Sequence, residues 1–394
     1  MISDEKLIAF CQSLIRTPSL SGQEEGVAQK IAQYMRENGF DEVVIDKYGS
    51  VLGCIHGKYP GKHVLMDGHI DTVPVPDPSV WTHDPFGAEI VDGKIYGRGT
   101  SDMKGSVSSM VTAAARYAEA TNREFEGSIY ASCSVHEECF EGVSVREITR
   151  LAKPDYVIIG EATTTSLKIG QRGRAEVVVE TTGRSCHSSN PEKGVNAAYH
   201  MVELIQEIRK LPSPEQPVLG KGILELTDVI SSPYPGASVV PAKCRATFDR
   251  RLLVGETEQS VLAPIEEAIA RVKARIPELQ ARVYIAEGEE RCWTGETIRA
   301  KRFFPAWLLS KEDELVQKVH AGLQAAGIDA PYSHFAFCTN GSSFCGENGI
   351  PTIGFGPSLE SLAHVVDEYI EIDQLTKSCR GFYGILAELN PVRK

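Results

Sequence analysis

Apolar residues recur along the first 170 residues in two alternating patterns, one typical of helices and one of buried strands. Helical periodicity predicts helices at residues 5–16 and 24–38, and a third helix begins near Lys104 and contains SVSSMVTAAARYAEA. Short, largely apolar runs predict strands at residues 42–46, 50–56, 62–67, 128–135 and 154–162. Apolar strands separated by helices indicate an α/β core built on a covered, mixed sheet.

A different pattern begins near Gly173 and predicts an inserted domain. The segment AEVVVETTG at 175–183 alternates between apolar and polar residues, as a half-exposed strand does. A helix is then predicted in NPEKGVNAAYHMVELIQEIRKL, followed by strands at 222–230 and 243–250. A second helix is predicted in ETEQSVLAPIEEAIARVKARI, and a last strand at 281–288. This β-α-β-β-α-β order is that of the ferredoxin-like motif, so we predict an α+β domain at 174–290.

The α/β pattern resumes after residue 310. A helix is predicted in KEDELVQKVHAGLQAAG, a buried strand in IPTIGFG and a last helix in EIDQLTKSCRGFYGILAEL. The first domain is therefore predicted to be discontinuous, with residues 1–173 and 291–394. The length of 394 residues agrees with two domains, because single hydrophobic cores stop growing beyond roughly 250–300 residues.

Composition narrows the class of protein. A hydrophobic content of 42% and a charged content of 24% are those of a soluble globular protein. The net charge of −12 disfavours a nucleic-acid partner. No apolar run reaches the roughly 18 residues of a membrane helix, and the acidic N-terminus resembles an amphipathic helix more than a signal peptide. Ten scattered cysteines without a CxxC pair favour reduced thiols and a cytoplasmic location.

Polar side chains end one of the predicted buried strands. In VLMDGHIDT at 64–72, an apolar run gives way to Asp67, His69 and Asp71 on alternate residues. These side chains share one face if the segment stays extended. Imidazole and carboxylate are good ligands for zinc and similar ions, and a ligating imidazole usually donates its other N–H to a carboxylate. Taken alone, the pattern also fits ordinary surface residues.

Further His, Asp and Glu residues lie near the ends of other predicted elements. Asp102 lies in the Gly-rich segment GRGTSDMKG, where it could also be a helix N-cap. Glu137 and Glu138 emerge together from a buried strand, which is costly unless water or a cation compensates them. Glu161 follows VIIG, and His364 precedes the last helix. Ligands commonly bind at the carboxyl ends of strands in open α/β sheets, so these residues predict a metal site.

The ordered motifs GHIDTVP, YGRGTSDMKG, HEE, GEATT, GRSCHSSNPEKGVNAA and AHVVDEYI resemble the M20 family of metallo-aminoacylases and peptidases. That family includes acetylornithine deacetylase, succinyl-diaminopimelate desuccinylase, glutamate carboxypeptidases and related dipeptidases, and the resemblance covers nearly the whole chain. CWTGE, GQRGRAEV, DRRLLVGE, FCTNG and GIPTIGFGP are similar to its branch of selenium-metabolism-linked hydrolases. The resemblance implies a mixed-sheet, zinc-aminopeptidase-like catalytic domain with an inserted ferredoxin-like lid that forms a homodimer.

The resemblance also implies a site for two divalent ions, with zinc favoured and cobalt or manganese compatible. His69 would bind the first ion, Asp102 would bridge both ions, and Glu161 would complete the first ion's protein ligands. Glu138 and His364 would bind the second ion.

Catalytic roles follow from the same resemblance. Asp71 would orient His69, and Glu137 would be the general base that takes a proton from a metal-activated water and passes it to the leaving amine. The peptide bond between Asp102 and Met103 would be cis.

The lid would contribute His187, as a hydrogen-bond donor to the oxyanion of the tetrahedral intermediate, and Arg251, as a partner of the substrate's carboxylate. Taken alone, each also fits a surface residue. The substrate-contacting loop of the family is matched by Thr339, Asn340 and Gly341. Two positions depart from the family pattern: Ser238 replaces a common Asn, and Ala162 replaces a common Pro.

The resemblance therefore predicts a hydrolase that cleaves an amide bond of a small N-acyl amino acid. A dipeptidase or carboxypeptidase of the same family and a carbamoyl-amide hydrolase are alternatives that the sequence leaves open. A non-catalytic metal-binding scaffold is disfavoured, because it would predict loss of the base or of a ligand.

Overall fold

The computed structural model describes residues 2–393, which divide into two compact units. Unit 1 comprises the residues up to Gln171, Glu289–Arg299 and the residues from Trp307 onward. Unit 2 comprises Arg172–Gly288 and Ala300–Ala306. Among the described residues, no helix has the length and apolar character needed to cross a bilayer.

The helices agree with the predicted periodicity within a few residues at most ends. They are α1 (Asp4–Ile15), α2 (Glu25–Glu37), α3 (Gly105–Ala120), α4 (Val145–Ala152), α5 (Ala197–Ile208), α6 (Glu258–Arg275), α7 (Glu314–Ala325) and α8 (Ile372–Leu389). Short helical turns lie at Pro78–Val80, Thr100–Lys104, Pro191–Lys193, Ser342–Glu347 and Glu360–Leu362.

The strands comprise every predicted strand and several short ones that lack a periodic signal. Those before the inserted unit are β1 (Glu42–Ile45), β2 (Val51–His56), β3 (Tyr59–His69), β4 (Ile90–Val91), β5 (Lys94–Tyr96), β6 (Glu126–Ser134), β7 (Tyr156–Ile159) and β8 (Leu167–Gln171). Next come β9 (Gly173–Thr182), β10 (Glu215–Gln216), β11 (Gly220–Lys221), β12 (Ile223–Ser232), β13 (Lys243–Leu252), β14 (Gln280–Ile285), β15 (Glu287–Arg291), β16 (Thr297–Lys301) and β17 (Phe303–Phe304). The last are β18 (Trp307–Leu308), β19 (Tyr332–Phe335), β20 (Thr352–Gly354) and β21 (Tyr369–Glu371).

Unit 1 is built on a nine-stranded mixed sheet. Its order is β1-β2-β6-β3-β7-β20-β8-β18, with β19 also paired to β8. The four central strands β6, β3, β7 and β20 run parallel, while β2 and β8 pair antiparallel with their inner neighbours. This mixed α/β sheet is the predicted fold class.

Apolar side chains on the two faces of the sheet form separate clusters. Val64 and Met66 of β3 belong to the large core that also contains residues of α1, α3 and α8. Leu65, between them, packs in a second cluster with Val145 and Ile148 of α4. Successive residues of a strand point to opposite faces, so the run in β3 is apolar because both faces are covered.

Unit 2 has the strand order β12-β13-β9-β14, with antiparallel pairing throughout, and β17 pairs with β9. Its core lies between this sheet and the buried residues of α5 and α6, such as Met201 and Ile265. The chain order β9-α5-β12-β13-α6-β14 is the β-α-β-β-α-β order of the ferredoxin-like motif.

One segment differs from the sequence-based assignment. The sequence pattern assigns residues 300–306 to the first domain, but Ala300–Ala306 belongs to unit 2. Phe303 and Phe304 pair with Ala175 and Arg174 of β9, and Phe304 is buried. A two-residue strand has no detectable period, so the sequence pattern could not assign it.

Candidate metal centre

Three adjacent parallel strands carry candidate ligands at the same edge of the unit 1 sheet. His69 is the last residue of β3, so the segment VLMDGH stays extended. Glu137 and Glu138 follow the end of β6, and Glu161 follows the end of β7. The central strand β3 pairs with β6 on one side and β7 on the other, both parallel. Parallel strands end at a common edge, which brings the side chains together.

Asp102 lies between two imidazoles. Its Oδ1 is 2.8 Å from His69 Nε2, and its Oδ2 is 3.1 Å from His364 Nε2. Asp102 is not a helix N-cap, since α3 begins at Gly105, and its peptide bond to Met103 is cis. A carboxylate whose two oxygens face two different imidazoles has the arrangement needed to bridge two cations.

The remaining ligand candidates complete two groups of nearby donor atoms. Glu161 Oε1 is 3.5 Å from His69 Nε2, and Glu138 Oε2 is 3.0 Å from His364 Nε2. Donor atoms within 4.8 Å of one another are offered by His69, Glu137 and Glu161 in one group and by His69, Asp102 and Glu138 in the other. Mixed imidazole and carboxylate donors suit zinc and similar divalent ions, so these residues fit such ions chemically.

Burial makes the three glutamates of the site costly to ionise. Burial raises the pKa of Glu137 well above its ordinary value and that of Glu161 to about 8, even though His69 opposes both rises. Burial also raises the pKa of Glu138. Hydrogen bonds to Asp102 and Glu138 raise the pKa of His364 to about 10. Buried carboxylates with raised pKa values are costly to ionise, and bound divalent cations would offset that cost.

Glu137 has an available oxygen in this site. Its side chain is buried, and its Oε1 has no hydrogen-bond partner among the described residues. A buried carboxylate oxygen without a donor is free to accept a proton from a molecule bound beside it. The adjacent Glu138 faces His364 instead, so the two neighbouring glutamates have different surroundings.

The ring of His69 is oriented by the main chain of Asp71. Nδ1 of His69 lies 2.9 Å from the carbonyl oxygen of Asp71 and 3.6 Å from its carboxylate Oδ1. A carbonyl only accepts hydrogen bonds, so Nδ1 donates, and in the neutral ring Nε2 keeps its lone pair towards Asp102. Nε2 is therefore the atom of His69 that can bind a metal.

The carboxylate of Asp71 holds the turn that carries the two glutamates. It accepts hydrogen bonds from the backbone N–H of Glu137 at 3.1 Å and of Glu138 at 3.2 Å, and from the hydroxyl of Ser21 at 2.7 Å. Asp71 is fully buried. It thus connects the end of β3 to the residues after β6.

Asp67, to which the sequence assigned no role, is part of a buried polar network. Its carboxylate accepts hydrogen bonds from the hydroxyl of Ser132 and from Asn340 Nδ2, the latter at 3.0 Å. Asn340 also donates to Ser134 and accepts from the N–H of Gly142, in the loop after Glu138. Asp67 therefore supports the site from within the sheet.

The predicted substrate-contacting residues Thr339, Asn340 and Gly341 are all buried. The hydroxyl of Thr339 donates to Gln171 at 2.6 Å, and Asn340 has the partners given above. These bonds show a structural role for Thr339 and Asn340, while substrate contact by this loop stays a prediction.

Two predicted site residues belong to unit 2. His187 is exposed, and its Nδ1 accepts a hydrogen bond from the N–H of Ser189 at 3.1 Å. The neutral ring therefore carries its proton on Nε2, which is free to donate. Arg251 forms an ion pair with Asp249 at 2.7 Å, and Arg174 contacts the other oxygen of Asp249 at 2.8 Å. The charge of Arg251 is thus already partly compensated.

Sequence reasoning missed one residue beside the centre. Glu368 is fully buried and accepts a hydrogen bond from the backbone N–H of Asp102 at 3.1 Å. It lies four residues after His364 in AHVVDEYI, so an acid just before the short strand β21 was the available signal.

Comparisons with known proteins agree with this architecture. The chain is 34% identical over 383 residues to the protein of Escherichia coli K12 named "Uncharacterized protein YgeY", which covers 96% of this chain and 92% of the relative. It is 32% identical over 291 residues to succinyl-diaminopimelate desuccinylase of Cereibacter sphaeroides, covering 68% of this chain and 73% of the relative.

Two solved structures share the fold. Aminopeptidase PepT from Bacillus cereus superposes with a TM-score of 0.76 at 19% identity, covering 98% of this chain and 99% of that one. The Bacillus subtilis YXEP protein, described as a dinuclear metal binding peptidase from the M20 family, superposes with a TM-score of 0.72 at 14% identity, covering 99% of both chains.

A family profile matches most of the chain, including all of the candidate ligands. Residues 65–388 match "Peptidase family M20/M25/M40". The matched range begins inside β3, before His69, and ends inside α8, after His364. This chain, a hydrolase of amide bonds, belongs to peptidase family M20/M25/M40.

Proposed function

We propose that the protein is a two-metal amidohydrolase that removes the acyl group from a small N-acyl amino acid. The observation that carries this proposal is the position of Asp102, whose two carboxylate oxygens lie 2.8 Å and 3.1 Å from the imidazoles of His69 and His364. A structural ion pair would need only one such contact. One carboxylate with an imidazole on each side is suited to hold two cations close together.

His69, Asp102 and Glu161 would hold one ion, and Asp102, Glu138 and His364 would hold the other. When bound, such ions polarise a substrate carbonyl and lower the pKa of a nearby water. Zinc is favoured by the mixed imidazole and carboxylate donors, and the description of the Bacillus subtilis structure as dinuclear supports the number of ions.

Glu137 would move the proton during hydrolysis. Its Oε1, which has no hydrogen-bond partner among the described residues, would accept a proton from the attacking water. As the water oxygen bonds to the acyl carbon and the C–N bond breaks, Glu137 would give that proton to the leaving nitrogen. The products are then a carboxylic acid and a free amine.

His187 would donate a hydrogen bond from Nε2 to the oxyanion of the tetrahedral intermediate. The bond that its Nδ1 accepts from Ser189 supports this role, because it places the proton of the neutral ring on Nε2. Binding of a substrate carboxylate by Arg251 remains a prediction, and its pairing with Asp249 means that a substrate would share or displace that partner.

The choice of an N-acyl amino acid is supported by the 32% identity to a desuccinylase. The favoured alternative is a dipeptidase or carboxypeptidase, as solved structures with the same fold include human carnosine dipeptidase 1 and a metallo-carboxypeptidase from Sulfolobus solfataricus. A cytoplasmic location is supported by the ten cysteines, none of which forms a disulfide. Membership of the selenium-metabolism-linked branch stays a prediction.

We also propose a homodimer formed through unit 2. Strand β12 is an edge of the unit 2 sheet and exposes Val229 and Ile230, while α5 exposes Tyr199 and Val202. Exposed apolar residues on an open sheet edge are typical of surfaces that pair with another chain.

The proposed activity is tested with zinc-, cobalt- and manganese-loaded protein. N-acetyl, N-succinyl and N-carbamoyl amino acids are incubated beside dipeptides, and the products are identified by mass spectrometry. Release of a free amino acid from an acetyl or succinyl substrate supports the proposal. Cleavage of dipeptides alone would favour the alternative, and absence of cleavage by protein with both ions bound would overturn both.

A further inference from the structure

Glu368 is a buried carboxylate whose hydrogen bonds all go to the segment that leads to Asp102. Its Oε2 accepts from Arg98 Nη1 at 2.6 Å and from the N–H of Gly99 at 3.1 Å. Its Oε1 accepts from the N–H of Ser101 at 2.8 Å and of Asp102 at 3.1 Å. Each oxygen therefore has two donors, so Glu368 is occupied by the protein and is not a metal ligand.

These bonds fix the main chain beside the bridging residue. The segment Gly99–Asp102 lies in the turn between β5 and α3, where three of its N–H groups point to one carboxylate. Backbone N–H groups buried without acceptors would destabilise this arrangement. Glu368 therefore stabilises the one backbone arrangement that presents the side chain of Asp102 to both imidazoles.

The segment that contains Glu368 also delivers His364, and it is anchored on both sides of Glu368. The carboxylate of Asp367 accepts a hydrogen bond from the N–H of Thr82 at 2.7 Å. On the other side, Tyr369 pairs with Tyr96 in β5. Asp102 and His364 are thus tied to one another through Glu368 as well as through their direct contact.

We propose that Glu368 is a positioning residue of the metal centre, which sets the distance between Asp102 and His364 and thereby the affinity for the second ion. This inference rests on the proposed two-metal function. Residues that hydrogen-bond to metal ligands without binding the ion themselves typically contribute about 10–100-fold to metal affinity or activity.

The Glu368→Gln variant tests the inference. A Gln amide keeps one oxygen, but its NH₂ group faces donors, so at least two of the four hydrogen bonds are lost in either orientation. The affinity of the metal-free protein for zinc is measured by competition with a chromophoric chelator. The visible spectrum of the cobalt-loaded protein reports the coordination of the ion, which a purely structural role would leave unchanged.

The matched control is Glu256→Gln in unit 2. Glu256 also pairs with a buried arginine, Arg250, and accepts a backbone N–H, that of Leu253 at 2.7 Å. Both variants are expected to lose thermal stability. Only Glu368→Gln is expected to bind zinc about 10–100-fold more weakly and to change the cobalt spectrum.

Zinc affinity within twofold of the wild type and an unchanged cobalt spectrum in Glu368→Gln would overturn the inference. If that variant does not fold, Glu368→Asp replaces it, since it keeps the charge but is too short to reach all four donors. Weakened zinc binding in Glu368→Asp supports the inference and unchanged binding overturns it. A wild-type protein that binds no divalent ion would instead overturn the proposed function itself.

Discussion

Nδ1 of His69 lies 2.9 Å from the main-chain carbonyl oxygen of Asp71, a residue only two positions further along the chain. The backbone carbonyl, which cannot be removed by a side-chain substitution, therefore fixes the tautomer of His69. The carboxylate of Asp71 is left to accept the N–H groups of Glu137 and Glu138. The two parts of Asp71 thus serve different catalytic groups.

This division predicts the behaviour of Asp71→Asn. The amide would turn an NH₂ group towards one of the backbone N–H donors, so the turn carrying Glu137 should shift. We expect hydrolysis to fall by about 10–100-fold while zinc binding changes less, as measured by turnover and zinc titration on the same samples. Ser21→Ala, which removes one hydrogen bond to the same carboxylate but leaves both backbone N–H partners in place, serves as the milder control. Equal losses in both variants would contradict the assignment.

The metal-free protein should lose stability as the pH rises. Burial raises the pKa of Glu161 to about 8, against an ordinary value of 4.5, so between these values the folded state binds more protons than the unfolded state. This contribution to stability is fully present below about pH 4.5 and is lost as the pH rises through about 8. His364, with its pKa raised to about 10, acts in the same direction at higher pH.

Thermal melts of chelator-treated protein between pH 5 and 9 check this expectation. Zinc-loaded protein should lack the decline, because metal ligands bind as deprotonated carboxylates and neutral imidazoles. Glu161→Gln should reduce the slope in the metal-free protein. A slope identical to that of the wild type would show that Glu161 is not responsible.

His187 should affect turnover and not metal binding. Loss of one oxyanion donor typically lowers kcat by about 10²–10³-fold. We expect that loss in His187→Ala, with zinc affinity and thermal stability close to the wild type because the side chain is exposed. Ser189→Ala removes the hydroxyl that lies 2.7 Å from His187 Nδ1 but keeps the Ser189 N–H that donates to the same nitrogen, so it should have a smaller effect. Full activity in His187→Ala would rule out the proposed role.

The proposed homodimer is tested by charges on the exposed edge of unit 2. Val229→Glu in β12 should shift the protein towards a monomer in light scattering at micromolar concentration, because a charge buried in an interface is costly. Val44→Glu is the matched control, since Val44 in the edge strand β1 of unit 1 is 45% exposed and Val229 is 47% exposed. Dissociation by both substitutions, or by neither, would argue against this surface.

The main elements and part of the candidate ligand set were predictable from sequence, because these candidates interrupt strong local patterns. His69, the Glu137-Glu138 pair and Glu161 all end apolar strands, and parallel strands carry their ends to one edge of the sheet. The resemblance to a known family then assigned Asp102 and His364. The sequence signal was thus strongest where polar or charged residues directly follow apolar strands that are buried.

The supporting residues were not predictable in the same way. Glu368 and Asp67 act through backbone and amide donors distant in the chain, such as Asn340, which no periodicity reveals. The sequence predicted that Asp71 orients His69, but it did not predict that the main-chain carbonyl oxygen of Asp71 would lie nearer to the imidazole than the carboxylate does. The segment Ala300–Ala306 joins unit 2 through the two-residue strand Phe303–Phe304, which is too short to show a period.

The proposed mechanism assigns proton transfer to Glu137 and metal binding to other residues. The direct measurement is metal content and turnover of Glu137→Gln, determined on one preparation by elemental analysis and by product detection with the best substrate of the wild type. We predict two ions per chain, as in the wild type, with turnover reduced by at least about 10²–10⁴-fold. Unchanged turnover with both ions bound would show that Glu137 is not the general base.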